Sequence, residues 1–415
     1  MVKILFFFVV LINYSISIIL PGKVETRFAK TPLTNNIYIT IPLCFGPTNE
    51  KKQCVRLIYD INEKIILVGD IGIHNTLGYN KSLSTTIEDL NRSYSIGLGE
   101  KRTMLNNIYR ETVFFDEKHI LHFFNFLLIE KSTFSIQEFN YSGVAGFGYN
   151  HHLGENFTLL MSLYNEGIIR SKNFGHRFLD EENVEIFIGE EKNDDPQFIS
   201  SFEFCYMNQV LGKSESNLFC RLESMISEGD KKIIANYSAS YVIFSTKNEY
   251  LLAPNPGGYD LFNLYIQASN GQCSLVDDRA TGAGIIRCSP SFDISTLPVT
   301  YLHMRDSKLN IKLDPIDLFD SENKGRIYVR DFNSNWILDL NILKHYDMYV
   351  NFQKAGVGLR TNNCFKTIKE KSNSLKVLIT IFILLSNAFG LGLLGFYLFI
   401  NGNCFRLMKI GDTLF

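Results

Sequence analysis

Residues Val377–Ile400 form a run of 24 residues without one charged side chain, and no other feature of this 415-residue chain restricts its fold so sharply. Wound as a helix, an uncharged stretch of that length crosses the hydrocarbon core of a bilayer, whereas a core helix with no polar face would be unusual. We therefore expect a transmembrane helix over 377–400 and a cytosolic tail over 401–415 that carries Cys404. At the other end Lys3 precedes the apolar run Ile4–Ile12, which predicts a signal peptide over 1–20; the competing reading is a buried N-terminal strand. Together the two ends predict a single-pass type I protein of the secretory pathway or cell surface. A Lys-rich juxtamembrane linker over 363–376, with Lys366, Lys369, Lys371 and Lys376, sits on the lumenal side. That runs against the positive-inside preference, which a cleaved leader normally overrides.

Setting the ends aside changes what the composition means. The mean hydropathy of +0.01 averages an anchor with a polar body. Apolar residues at 46% and charged residues at 20% allow a large core and exclude wholesale disorder. A net charge of −2 leaves no basic surplus for a nucleic-acid partner. Six of the eight cysteines fall into local pairs, Cys44/Cys54, Cys205/Cys220 and Cys273/Cys288, each bracketing a turn-like stretch. These are disulfide candidates suited to an oxidising compartment, although spacing alone does not prove connectivity. Cys364 is left over. Without CxxC spacing and with few His, no metal site is expected. Five Asn-x-Ser/Thr sequons, at Asn80, Asn91, Asn140, Asn156 and Asn236, lie between the two apolar ends and agree with the same topology.

Between residues 36 and 362 short apolar runs bounded by turn residues predominate, which is a strand signal. They include Ile37–Ile41, Val55–Tyr59, Ile65–Val68, Val184–Ile188, Tyr241–Phe244, Leu261–Ile266, Ile327–Val329 and Met348–Phe352. Helical patterns are few: Phe157–Gly167, with Asn156 as a candidate N-cap and Gly167 as a stop, and Leu338–His345.

The order of motifs resembles a pepsin-like aspartic protease of the two-lobed type. Trp336-Ile337-Leu338-Asp339, Tyr346–Phe352 and Gly356-Val357-Gly358-Leu359 resemble the closing stretch of that family. Cys288-Ser289-Pro290, Leu297–Thr300 and Leu313-Asp314-Pro315 resemble the run before it, and Gly143–Gly148 and Val184–Gly189 resemble first-lobe segments. The resemblance implies a mainly β, two-lobed pepsin-like fold with a few short helices, an N-terminal lobe over 36–190 and a C-terminal lobe over 191–362. It also implies a peptide or protein partner and no cofactor.

Such an enzyme needs two carboxylates, one per lobe, sharing a proton and a water, so that one acts as base while the other donates. Each sits in an apolar strand ending in D-T/S-G. Here both motifs are damaged. Leu57-Ile58-Tyr59-Asp60 matches the first, with Ile61 for Thr and Asn62 for Gly, and Asp60 takes the catalytic position in preference to the decoy Asp70. Tyr241-Val242-Ile243-Phe244-Ser245-Thr246-Lys247 matches the second, with Ser245 in place of Asp and Thr246 retained at a cleft position. The flap segment Ser95–Glu100 carries Leu98 and Gly99 at cleft positions but lacks the usual Tyr, and Asp339 replaces a Gly. The expected function is therefore that of an anchored pseudoprotease that binds a peptide or protein. One alternative is an active aspartic endopeptidase with a non-standard dyad in which Glu249 or Asp70 takes part. Another is a structural or adhesive surface protein that makes no use of the cleft.

Overall fold

Strand formation follows the apolar runs closely. In the computed structural model the described residues are 17–28, 35–74, 78–97, 103–132, 142–148, 158–189, 200–206, 218–228, 233–236, 240–246, 251–278, 282–330, 334–352, 355–362 and 364. The strands of the first half are β1 (Ser17–Phe28), β2 (Asn35–Phe45), β3 (Gln53–Asp60), β4 (Leu67–Gly69), β5 (Glu88–Gly97), β6 (Thr103–Phe114), β7 (Ile120–Ser132), β8 (Gly143–Gly146), β9 (Asn173–Phe178) and β10 (Asn183–Gly189). The second half adds β11 (Glu203–Tyr206), β12 (Phe219–Ser227), β13 (Ile233–Asn236), β14 (Tyr241–Phe244), β15 (Leu251–Pro254), β16 (Cys273–Asp278) and β17 (Ala283–Cys288). It closes with β18 (Thr300–Met304), β19 (Asn310–Leu313), β20 (Ile327–Arg330), β21 (Trp336–Leu338), β22 (Tyr346–Asn351) and β23 (Gly356–Thr361). The helices are short: α1 (Ile71–His74), α2 (Leu159–Asn165), α3 (Gly257–Ala268), α4 (Pro315–Leu318) and α5 (Leu340–Leu343).

Two sheets hold these strands. One has 13 strands in the order β11-β23-β22-β9-β10-β1-β2-β3-β8-β4-β7-β6-β5. The other has ten, β16-β17-β20-β15-β21-β14-β12-β18-β19, with β13 beside β12. The first sheet is not confined to the first half of the chain, because β11, β22 and β23 join it through β22 and β9. β22 therefore has a strand on each side, and all six of its residues are buried. A strand buried on both faces reads as a continuous apolar run rather than an alternating one.

A motif occurs twice. β3 runs parallel to β8, with Ile58 opposite Val144 and Asp60 opposite Gly146, while β4 lies antiparallel to β8. β14 runs parallel to β21, with Val242 opposite Trp336 and Phe244 opposite Leu338, while β15 lies antiparallel to β21. The loops that leave β3 and β14 are thereby equivalent, and Ser245 occupies the position in the second loop that Asp60 occupies near the first.

The structure departs from the sequence reading in four elements. The apolar run Leu261–Ile266, expected as a strand, lies inside α3. Leu261, Phe262 and Tyr265 form its buried face while Asn263 and Gln267 are exposed, so a continuous apolar run is compatible with either element. The first helix begins later than expected, with Thr158 rather than Asn156 at its N-cap, and it stops where Gly167 takes φ +69°. Leu338 belongs to β21 rather than to the helix that follows it. β1, not expected as a strand, pairs with β10 and β2 from Ser17 onward, and its Ile18 and Leu20 are fully buried. Its first four residues overlap the leader expected over 1–20; the remainder of that leader lies outside the described residues, as do the expected membrane helix and tail. No described helix is long and apolar enough to cross a membrane. The three cysteine pairs form the expected disulfides, Cys44–Cys54, Cys205–Cys220 and Cys273–Cys288, and Cys364 is a free thiol.

Candidate functional site

β3 begins with alternating burial and becomes continuously buried from Leu57, so the strand runs into the interior and delivers Asp60 at its end, 3% exposed. The segment after β8 crosses close behind this point. A Cβ on Gly146 would stand 2.5 Å from the Glu63 carbonyl oxygen, so only glycine permits the approach. Phe147 N then donates to the Asp60 carbonyl at 2.9 Å, and Gly148 N donates to the Glu63 carbonyl at 2.7 Å. The carboxylate is oriented by its own loop: Oδ1 accepts from the backbone N of Asn62 at 2.9 Å and of Glu63 at 3.2 Å.

The second loop is held to its own parallel neighbour β21, with Ser245 N donating to the Leu338 carbonyl at 2.9 Å. Ser245 is 6% exposed and Thr246 is fully buried. Side chains then cross between the two loops in both directions. From the second loop, Thr246 Oγ1 donates to the Tyr59 carbonyl at 2.8 Å and accepts from Ile61 N at 3.3 Å. Ile61, its counterpart beside Asp60, has no hydroxyl to return these bonds. The next residue returns one of them: Asn62 Nδ2 donates to the Phe244 carbonyl at 2.6 Å, while Asn62 Oδ1 accepts from Leu218 N, just before β12, at 3.0 Å. The clamp is reciprocal, with an amide from one side and a hydroxyl from the other.

The structure thus brings Asp60, Ser245 and Thr246 to two joined loops. Leu98, Gly99 and Glu249 lie outside the described residues. Asp70 is tied into a different turn, its Oδ1 accepting from Gly72 N at 2.7 Å at the start of α1. Asp339 caps α5, accepting from Asn341 Nδ2 at 2.8 Å and from Ile342 N at 3.4 Å. Burial pushes the Asp339 carboxyl above the usual range, with the Asn341 amide opposing. Among the described residues no His, Cys, Asp and Glu cluster is suited to a metal ion.

Two features were missed in the sequence. Asn62 as a clamp had no signal beyond its occupying a position where glycine is expected. His176 had none at all. Its ring on β9 is fully buried against Tyr59, 5.8 Å between centroids, and Phe178, 5.4 Å, and neither ring nitrogen has a hydrogen-bond partner. Burial pushes the imidazole pKa down to about 3. The Tyr59 phenol, also unpartnered, is pushed up by burial and further by the adjacent Asp60 charge.

Beside this centre, the loop at 78–87 is pinned to β6. Glu111, 2% exposed, accepts from Thr86 Oγ1 at 2.7 Å, Tyr79 OH at 3.3 Å and the Ser84 hydroxyl.

The described residues thus form a mainly β fold with few helices, in which a strand–loop–strand unit occurs twice and its two loops are bonded to each other. A family model described as eukaryotic aspartyl protease matches residues 63–361, well over half of the chain. The chain belongs to the eukaryotic aspartyl protease family. The family match opens just beyond Asp60, so the first carboxylate position precedes it while the whole of the second loop lies within it. No curated protein matches the sequence.

Proposed function

We propose that this aspartyl protease family member is a membrane-anchored pseudoprotease of the secretory pathway that binds a peptide or protein ligand in its cleft. The observation that carries the reading is Ser245. In the duplicated unit it stands where Asp60 stands, and a serine hydroxyl does not share a proton with a carboxylate near neutral pH as a second Asp does. Acid–base catalysis at a peptide bond requires one group to activate water and another to donate to the carbonyl, and one carboxylate supplies only half of this. The presence of the clamp supports a retained scaffold, because the Asn62 bond to the Phe244 carbonyl stands in for one that Ile61 does not make. The three disulfides agree with an oxidising compartment, and the uncharged 377–400 segment supports the anchor.

The test is a peptidase assay of the purified chain on a mixed peptide pool between about pH 3 and pH 7, run beside Asp60→Ala and Ser245→Asp. No cleavage by the parent, with binding of a peptide transition-state analogue that bulky cleft substitutions abolish, is the expected result. Parent activity that disappears in Asp60→Ala would overturn the reading in favour of an endopeptidase with an unusual dyad. Ligand binding indifferent to cleft substitutions would favour a structural or adhesive role.

A further inference from the structure

Of the five sequons, Asn80 and Asn91 have described side chains, and the structure treats them differently. Asn80 is half-buried and caps the 3-10 turn Lys81–Leu83, its Oδ1 accepting from Ser82 N at 3.1 Å and from the Ser82 hydroxyl at 2.6 Å. Its neighbour Lys81 is ion-paired with Glu130. The Asn91-Arg92-Ser93 triplet is exposed throughout. Asn91 takes φ +52°, a left-handed conformation that Asn tolerates better than most residues, and its backbone N donates to Asp89 Oδ1 at 2.8 Å. The β5–β6 ladder shifts register between Asp89 and Ser93, so Leu90, Asn91 and Arg92 bulge out of the pairing while Ser93 rejoins it opposite Asn107. β5 is also the terminal strand of the 13-stranded sheet, with β6 on its inner side. The open edge of a sheet is a template for pairing with another chain, and bulges and charged residues are common means of blocking it. Glu88, Asp89 and Arg92 already place charge there.

We infer that Asn91 is an N-glycosylation site of this chain and that its glycan shields the open edge of the β5–β6 hairpin. The inference rests on the secretory reading above. In the transfer, Asn91 Nδ2 forms a bond to the anomeric carbon of a lipid-linked, diphosphate-activated oligosaccharide. The bond from that carbon to the phosphate oxygen breaks, the lipid diphosphate leaves with the electron pair, and one amide proton is released. The folded protein accommodates the product because the Asn91 side chain is exposed and its amide makes no hydrogen bond among the described residues, whereas the Asn80 side chain is part of a turn.

The full chain is expressed in a glycosylating secretory host, and its mass is compared before and after enzymatic removal of N-glycans. N91Q and S93A, the second leaving Asn91 itself in place, are each expected to lose one glycan-sized increment, while N80Q matches the parent. N91Q is also expected to self-associate at concentrations where the parent does not, read by light scattering. N91Q and S93A that carry the same glycan mass as the parent overturn the inference while leaving the compartment reading intact if another sequon is occupied. A parent with no glycan and with reduced cysteines overturns both. An occupied Asn91 whose removal leaves the association state unchanged overturns the shielding role.

Discussion

His176 makes the stability of this protein sensitive to acid, and the size of the effect follows from its burial. The ring lies in β9 between Ile186 of β10 and Met348 of β22, on an interior strand of the sheet that links the two halves of the chain. Folding holds it neutral: the pKa is about 3 in the folded state against 6.5 for an ordinary His. Between these values the unfolded chain binds a proton that the folded chain does not, so stability rises with pH. The contribution is fully retained above about pH 6.5 and falls by about 1.4 kcal/mol per unit as the pH drops, reaching about 3 kcal/mol of lost stability near pH 4.5. His176→Leu removes the titrating group at similar volume and also removes two unpartnered ring nitrogens. The assay is urea unfolding of parent and variant at several values between about pH 4 and pH 8. Carboxylates common to both proteins cancel in the difference. The stability difference, variant minus parent, should be flat above about pH 6.5 and grow steadily below it. A difference that stays constant down to about pH 4 would refute the reasoning, since it would mean that the ring gains a partner for its proton without disturbing the sheet.

Two further outcomes follow from named contacts. Asn62→Ala removes the bond to the Phe244 carbonyl at the second loop and the bond from Leu218 N, and should cost about 1–3 kcal/mol, read as a lower urea midpoint. Asn62→Gly should behave alike, because the position then has no amide, and a variant of parental stability would show that the clamp contributes nothing. Glu111→Ala strips the acceptor from Tyr79, Ser84 and Thr86 in a buried setting, at a cost of about 2–3 kcal/mol. Amide hydrogen exchange should then speed up across 78–87 and leave the second sheet unchanged.

Much of this was legible in linear order. The runs Val55–Tyr59, Val184–Ile188 and Tyr241–Phe244 lie in β3, β10 and β14, because a β-branched and aromatic run bounded by turn residues suits few other elements. The local cysteine pairs were legible for a similar reason: in Cys44–Cys54 and Cys273–Cys288 the partners face each other across adjacent strands. Leu261–Ile266 was misread because periodicity does not separate a short buried helix from a strand. The clamp was not legible, because its partners, such as Asn62 and Phe244, are 182 residues apart and no local pattern connects them.

The sequence by itself determined the chemistry available at the two loops. It placed an aspartate at 60 and a serine at 245, and no folding changes a hydroxyl into a carboxylate. It also set the uncharged run at 377–400. Only the tertiary structure decided what the other losses mean. Ile61 and Asn62 read in sequence as damage to a motif. In three dimensions the amide of Asn62 reaches the carbonyl that Ile61 leaves unbonded, because backbone donors and acceptors buried between the loops must find partners from whichever side chain can reach them.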